Sequence, residues 1–296
     1  AGAQPRFVPL REPDYAFDPT ELRAAFSPRT RLIFVNTPHN PTGRVFGRSE
    51  LSAIAALCCE FNVLAITDEI YDRILFDGHE HISIGSLEGM AARTVTISGL
   101  GKTYAVTGWR VGWAIAAPPL TAEIRKVHDY VTVCAPTPFQ AAGIVALDLP
   151  ETYYDAMCAQ YARRRDILLN ALDAAGLPYR APEGAYYVMA DFGTIDWPVE
   201  RFSRPAWTPD RAFAEYIARE VGVAVVPGSS FYAGSTASRS DLSAWAAQGT
   251  TCVRLNLAGA SKPCTRPQNG SVASPKTLLE APYHSGPFPG LLGAKT

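Results

Sequence analysis

The chain has 296 residues, of which 47% are hydrophobic and 19% charged, and its formal net charge is -1. These values predict a soluble globular protein and give no electrostatic reason to expect nucleic acid or an anionic membrane as partner. No apolar run approaches the roughly 20 residues that span a bilayer, and no secretory leader is visible, so we expect a cytoplasmic protein without membrane contacts.

The first half of the sequence alternates short apolar runs with stretches of helical spacing. Strands are predicted at residues 31–36, 63–67, 94–98 and 111–116, and helices at 19–26, 49–61, 120–131 and 138–147. Such alternation is typical of a mainly parallel α/β sheet. We assign residues 1–150 to one large domain.

A long amphipathic helix, predicted at residues 152–175, leads into a second unit. That unit has predicted strands at 178–180, 185–191, 223–226 and 251–257, and a helix at 210–221. Residues 151–257 are therefore predicted to be a smaller α+β domain. The loop 197–208 is a candidate substrate-facing flap. From residue 258 to 296 Pro, Gly, Ser and Lys dominate without periodicity, which predicts an irregular tail.

The six cysteines have no metal-type spacing, and the histidines have no ligand spacing, so no metal site is predicted. Reduced, mostly buried thiols are the simplest interpretation in a cytosolic protein.

Polar side chains follow three of the predicted strands, and ligands of open α/β sheets lie outside the carboxyl ends of the strands. Asn40, Asp68 and Lys102 each come just after a strand. Lysine is rare in this sequence, and unlike arginine it can become an amine nucleophile. A nucleotide-binding P-loop ending at Lys102 is disfavoured, because the residue six positions earlier is Thr96 rather than glycine.

With Tyr71 and Arg110, these residues supply what pyridoxal phosphate requires of a protein. A lysine forms the Schiff base, and a carboxylate keeps the pyridine nitrogen protonated. A phenol and an amide hold the ring oxygen, and an arginine binds the phosphate in a fork geometry.

Three sequence stretches carry a family resemblance. They are Asn40-Pro41-Thr42-Gly43, Asp68-Glu69-Ile70-Tyr71, and the run from Ser98 through Lys102 to Arg110. Together they resemble the fold-type I, class I/II pyridoxal-phosphate aminotransferases, and the run 76–84 is most similar to the kynurenine/glutamine transaminase branch. That branch includes methionine aminotransferases and cysteine-conjugate β-lyases. The resemblance spans about residues 6–257 and implies an aspartate-aminotransferase-like α/β fold.

The resemblance also implies a role for each matching residue. Lys102 would form the Schiff base and shuttle the substrate proton, Asp68 would pair with the pyridinium nitrogen, and Tyr71 and Asn40 would bind the ring oxygen. Arg110, with Ser98, would bind phosphate. Arg254 would clamp the substrate carboxylate beside Asn40, with a structural salt bridge as its alternative.

The sequence departs from the family pattern in three places. The serine expected three residues before the lysine is Gly99, so Ser98 either replaces it or the contact is lost. The chain begins within the family's large domain, and residues 258–296 lack the family's closing strand and helix. Tyr186 and Tyr187 lie in a predicted strand, where packing is a simpler role than catalysis.

The sequence therefore predicts a transaminase that moves an amino group from an L-amino acid of aromatic, glutamine, methionine or kynurenine type to a 2-oxo acid, as a homodimer. Two alternatives stay open. One is a cysteine-S-conjugate β-lyase with the same residues. The other is a catalytically inactive fragment of such an enzyme.

Overall fold

The computed structural model describes residues 2–205, 207–232 and 249–257. A four-stranded sheet with the order β1-β2-β3-β4 forms first in the chain. Strands β1 to β3 are parallel, and β4 is antiparallel to β3. The predicted mainly parallel α/β fold is confirmed. The strands are β1 Leu32–Asn36, β2 Leu64–Asp68, β3 Thr94–Gly99 and β4 Gly112–Ala116.

Five α-helices lie between the described N-terminus and the second sheet, and residues suited to helix ends set several of their limits. Asp18 caps the first helix by accepting hydrogen bonds from the backbone N–H groups of Thr20 and Glu21. The longest helix ends at Gly176, which adopts the left-handed conformation that glycine permits. The helices are α1 Pro19–Ala25, α2 Arg48–Glu60, α3 Pro118–Val131, α4 Thr137–Leu147 and α5 Glu151–Ala175.

A second, antiparallel sheet has the order β5-β7-β6. The elements of this part are β5 Tyr187–Asp191, α6 Val199–Phe202, α7 Pro209–Tyr216, β6 Val226–Pro227 and β7 Cys252–Asn256. Helix α5 packs on this sheet through Tyr161, Leu168 and Leu172 in one buried cluster with Val188 and Leu255. Burial of such side chains, about 1.5–3 kcal/mol each, holds the helix to the sheet.

The described residues cover one face of the four-stranded sheet well and leave the other face open. Helix α2 buries Leu51, Ile54 and Cys58 against Val35 and Ala65 on that face. On the other face Leu32, Phe34 and Ile97 are 42%, 72% and 40% exposed. This open face also carries Asp68, because β1 to β3 pair Asn36 with Asp68 and Asp68 with Ile97. The sheet therefore presents the predicted carboxylate on its open side.

Three sequence predictions in the second unit need correction. Residues 178–180 form a single bridge, Tyr179 to Ala190, rather than a strand, since Pro178 has no N–H for a ladder. The predicted helix 210–221 changes at Ile217–Val221 into a π-helix. The predicted strand 223–226 shrinks to Val226–Pro227, where proline and the following 3₁₀ turn stop the pairing.

In its described residues, the candidate flap 197–208 contains helix α6 and contributes to an aromatic cluster. Trp197 packs edge-on against Phe192 and Phe213 and stacks on Tyr216. These rings attach one end of the segment to α7, while residues 198–201 are exposed, and a substrate-facing role for the segment stays a prediction. The predicted irregular tail 258–296 lies outside the described residues, where no structural statement is made. In the described ranges, no helix combines the length and apolar character that a membrane span requires.

Candidate active site

A cavity of about 450 Å³ opens at the carboxyl ends of β1, β2 and β3. Six of the seven site residues predicted from the sequence line it: Asn40, Asp68, Tyr71, Ser98, Lys102 and Arg110. The seventh, Arg254 of β7, reaches the cavity through a hydrogen bond from its Nη1 to Asn40 Oδ1 at 2.8 Å. The two sheets thus contribute to a single site.

An asparagine at the end of β1 fixes the amide side of the cavity. The Asn36 side chain donates to the Asp68 carbonyl at 2.9 Å and accepts from the Asn40 backbone N–H, also at 2.9 Å. These two bonds join the loop after β1 to the end of β2. Asn36 itself lines the cavity, and sequence analysis did not select it. Asn36 is the last residue of a predicted strand, and that position could have identified it as a site residue.

The carboxylate side of the cavity depends on strand alternation. Asp68 is exposed on the open face, and its Oδ1 accepts from the Ile70 backbone N–H at 3.1 Å. The next residue, Glu69, points the opposite way and is only 4% exposed. Glu69 accepts hydrogen bonds from Ser83 and pairs with His81 at 2.8 Å. One acid is therefore available to a ligand, while its neighbour anchors the turn.

Two tyrosines form the floor of the cavity. Tyr71 is 2% exposed, and its hydroxyl donates to the Tyr187 hydroxyl at 3.0 Å. Burial, followed by this bond, raises the pKa of Tyr71 far above its ordinary value, so the phenol keeps its proton. Both predicted packing tyrosines, Tyr186 and Tyr187, are buried, and Tyr187 also lines the cavity. Sequence analysis missed that second role, although the strand pairing with β7 determines it.

The candidate nucleophile lies in the turn after β3. Lys102 Nζ is 5.8 Å from the centroid of the Tyr71 ring and 5.5 Å from that of Tyr186. The turn is closed by a bond from Thr107 Oγ1 to the Gly101 carbonyl at 2.8 Å. Tyrosine faces stabilise an ammonium group, and Lys102 also lines the cavity.

The two candidate phosphate ligands differ in exposure. Arg110 is exposed at the rim, adopts a left-handed backbone conformation with φ 55°, and donates from Nη1 to the Thr107 carbonyl at 3.1 Å. A guanidinium can bind an anion with its other donors in a fork geometry. Ser98 is 8% exposed, and its Oγ lies 3.5 Å from the Glu69 carbonyl. This long bond is easily exchanged for a ligand oxygen.

The departure at Gly99 has a steric cause. A Cβ at this position would lie 2.8 Å from the Val111 carbonyl oxygen and 2.9 Å from Gly112 Cα. The antiparallel pairing of β3 with β4 places these two glycines face to face. No side chain fits there, so Ser98 is the hydroxyl that this strand end can offer.

The donor set defines what the cavity can hold. An amine, a carboxylate, a phenol, an amide and a guanidinium surround one space, as a phosphorylated pyridine aldehyde requires. Within the described ranges, no group of three or more His, Cys, Asp or Glu side chains is arranged to hold a metal ion.

The family model and the most similar relatives all point to the same family of proteins. The model of the family "Aminotransferase class I and II" matches residues 1–264. Kynurenine--oxoglutarate transaminase of Dictyostelium discoideum is 36% identical over 257 residues, which cover 78% of this chain and 59% of that protein. Kynurenine--oxoglutarate transaminase 1 of Mus musculus is 35% identical over 251 residues, with the same coverage of each chain.

Solved structures extend the similarity to the fold. An Escherichia coli protein with a methionine aminotransferase function superimposes with a TM-score of 0.71 at 33% identity, covering 84% of this chain and 59% of that one. The chain thus spans somewhat more than half the length of the relatives it matches.

Proposed function

This chain belongs to the class I and II aminotransferase family, and on that premise we propose that it is part of a pyridoxal-phosphate-dependent transaminase. The observation that carries the proposal is the convergence of Lys102, Asp68, Tyr71 and Arg110 on one cavity, with Arg254 bound to its rim. The substrates would be an L-amino acid of aromatic, glutamine, methionine or kynurenine type and a 2-oxo acid. The named transaminase relatives support this class.

The cofactor supplies an electron-withdrawing ring that makes an amino acid's α-proton removable. Lys102 would attach the cofactor and then, as a free amine, would move that proton. Asp68 would hold the ring nitrogen by charge, since its carboxylate is on the open face. Tyr71 would donate a hydrogen bond to the ring oxygen, assisted by the amide of Asn40. Arg110 and Ser98 would bind the phosphate at the rim.

Arg254 would fix the substrate by its α-carboxylate. Its guanidinium has five donors, and Asn40 accepts from one nitrogen. The remaining edge can bind a carboxylate in the bidentate manner that sets orientation. Neutral rings of Tyr187 and Phe231 lie 4.2 Å and 5.0 Å from the guanidinium, and no acid competes for it in the described contacts.

We further propose a homodimer in the cytoplasm. Support for association comes from the exposed apolar side chains of α3 and α4, among them Val127, Tyr130 and Val131 at 65%, 92% and 76% exposure. Support for the compartment comes from the five cysteines in the described ranges, all of them free thiols.

The direct test is attachment of the cofactor to Lys102. Protein mixed with pyridoxal phosphate is reduced with borohydride, and the modified peptide is located by mass spectrometry. We expect a visible absorbance band before reduction and a pyridoxyl group on Lys102 afterwards. Lys102→Ala removes both, whereas Lys126→Ala, an exposed lysine of α3, retains them.

Absence of the band from the unmodified protein, or its persistence in Lys102→Ala, contradicts the proposal for this chain. Product analysis separates the alternatives. Transamination yields a new 2-oxo acid and a new amino acid, whereas β-elimination yields pyruvate and ammonia.

A further inference from the structure

Tyr187 makes two contacts that belong to different parts of the candidate site. Its hydroxyl accepts the hydrogen bond from Tyr71, and its ring lies under the guanidinium of Arg254 at 4.2 Å. We propose that Tyr187 is a positioning residue that joins the carboxylate-binding arginine to the phenol on the cofactor side. The naming of cofactor and substrate here rests on the proposed function; the two contacts do not.

Sheet register produces the contact with Arg254. Strand β5 pairs antiparallel with β7, so that Tyr187 is opposite Asn256 and Met189 is opposite Arg254. Residues two apart on a strand share a face, and therefore Tyr187 and Arg254 are diagonal neighbours on one face. The ring of Phe231 lies 5.0 Å from the same guanidinium. Two aromatic rings therefore contact the guanidinium that donates to Asn40.

The hydroxyl of Tyr187 can either accept a hydrogen bond from Tyr71 or donate one to it. In the structure the Tyr71 hydroxyl uses its one proton in a hydrogen bond to the oxygen of Tyr187. A cofactor oxygen that accepts the Tyr71 proton leaves the Tyr71 oxygen free to accept from Tyr187. The pair then reverses its direction without either group ionising. Burial raises the pKa of both phenols, which keeps both protons in place.

When Tyr187 donates to Tyr71, we expect the Tyr71 hydroxyl to become a stronger hydrogen-bond donor to the cofactor. Hydrogen bonds in a chain polarise one another, so a donor to Tyr71 makes the Tyr71 proton a better donor in turn. Stabilising negative charge on the ring oxygen favours the deprotonated form of the lysine–cofactor nitrogen. Loss of the Tyr187 hydroxyl should therefore move the titration of the bound cofactor to higher pH.

Two substitutions separate the two contacts. Tyr187→Phe keeps the ring under Arg254 and removes the hydroxyl, whereas Tyr187→Leu removes both. The control is Tyr161→Phe, which loses a hydroxyl from the same buried aromatic cluster outside the cavity lining. Each protein is loaded with pyridoxal phosphate, its visible band is titrated with pH, and KM for an amino donor is measured.

We expect Tyr187→Phe to raise the midpoint of the titration by roughly half a pH unit, as loss of one net hydrogen bond implies, with KM changed less than about twofold. Tyr187→Leu should show the same shift and a KM higher by roughly tenfold, because the guanidinium loses its ring support. Tyr161→Phe should match the unmodified protein in both. An unchanged midpoint in Tyr187→Phe, or an unchanged KM in Tyr187→Leu, overturns the proposal.

A cofactor-free measurement keeps this inference separate from the proposed function. A double-mutant cycle of Tyr71→Phe and Tyr187→Phe in urea unfolding measures the coupling of the two hydroxyls directly. We expect a coupling energy larger than the experimental error. Additive effects of the two substitutions on the unfolding free energy would contradict the proposed link between the two hydroxyls. If the unmodified protein shows no cofactor band, the proposed function fails while this cycle still decides whether the pair is coupled.

Discussion

Gly99 shows how one residue fits the candidate phosphate-binding turn to its strand. The antiparallel partner of β3 passes so close that a Cβ would contact the Val111 carbonyl oxygen and Gly112. A serine at this position, as in the resembling enzymes, would need the two strands to separate. The hydroxyl available to a phosphate is therefore that of Ser98, one residue earlier.

We predict that Gly99→Ser, which restores the family's usual residue, destabilises the protein rather than improving cofactor binding. Forcing extra atoms into a packed contact costs about 1–3 kcal/mol. Urea unfolding of the cofactor-free protein measures the loss. Gly108→Ala is the control, because a Cβ at Gly108 meets nothing within 4 Å. Equal stability of Gly99→Ser and the unmodified protein would show that the strands can separate cheaply.

His39, next to Asn40, is a partly buried base that does not line the candidate cofactor site. Its Nδ1 lies 2.8 Å from Thr42 Oγ1. Burial, reinforced by the charge of Arg44, lowers the pKa of His39 from 6.5 to about 4. The folded protein therefore holds this imidazole neutral at pH values where the unfolded chain already binds a proton.

The sign of the resulting pH dependence follows from linkage. Between pH 6.5 and about 4 the unfolded state binds more protons at His39, so stability falls as the pH falls through this window. The full effect is on the order of 3 kcal/mol. We predict that His39→Gln flattens the unfolding free energy across this range. His128→Gln, at an exposed site on α3, should leave the slope unchanged. An identical slope in His39→Gln contradicts the assignment.

At the scale of elements, hydrogen bonds to the Glu69 side chain stabilise the turn after β2. Glu69 is 4% exposed, and its two carboxylate oxygens contact His81 Nε2 and Ser83 Oγ at 2.8 Å and 2.9 Å. This joins the turn carrying Asp68 and Tyr71 to the segment that precedes β3. Residues 76–84, which carry the resemblance to the kynurenine/glutamine transaminase branch, therefore also stabilise this turn.

We predict that Glu69→Gln destabilises the protein by about 1–3 kcal/mol, since its amide cannot accept both hydrogen bonds and leaves a buried donor unpaired. The matched control is Glu80→Gln at an exposed position of the same segment, with an expected change below about 0.5 kcal/mol. Chemical denaturation of both variants gives the comparison. A loss in Glu80→Gln equal to that in Glu69→Gln would assign the effect to net charge instead.

At the scale of the whole molecule, the described chain leaves much apolar surface in water. Phe34 and Ile115 are 72% and 63% exposed on the sheet, and Ile144 and Val145 of α4 are each 66% exposed. Soluble monomers rarely expose contiguous apolar areas of this kind. The relatives are longer than this chain, which spans somewhat more than half of their length.

We predict that this chain alone binds a hydrophobic dye such as ANS while retaining a cooperative unfolding transition. Replacement of Phe34 by serine should lower dye fluorescence and light scattering without loss of stability, because its side chain is largely solvated already. Fluorescence titration and static light scattering at several protein concentrations test this. Absence of dye binding in the unmodified protein would show that the face is covered in solution.

The sequence by itself determined the strand–helix alternation and the residues at the strand ends. Asn40, Asp68, Tyr71 and Lys102 could be identified because each follows an apolar run, and the ends of parallel strands share one edge of a sheet. An apolar run followed by a polar residue can be recognised in the sequence without knowledge of the packing. The domain boundaries near residue 150 stay a prediction.

Only the tertiary structure decided the contacts that join distant segments. Tyr187 and Arg254 are 67 positions apart in the sequence, yet the register of β5 with β7 makes them neighbours. The clash that excludes a side chain at Gly99 likewise depends on the path of β4. Side-chain periodicity reports which face a residue occupies, whereas the partner on that face depends on pairing across the whole chain.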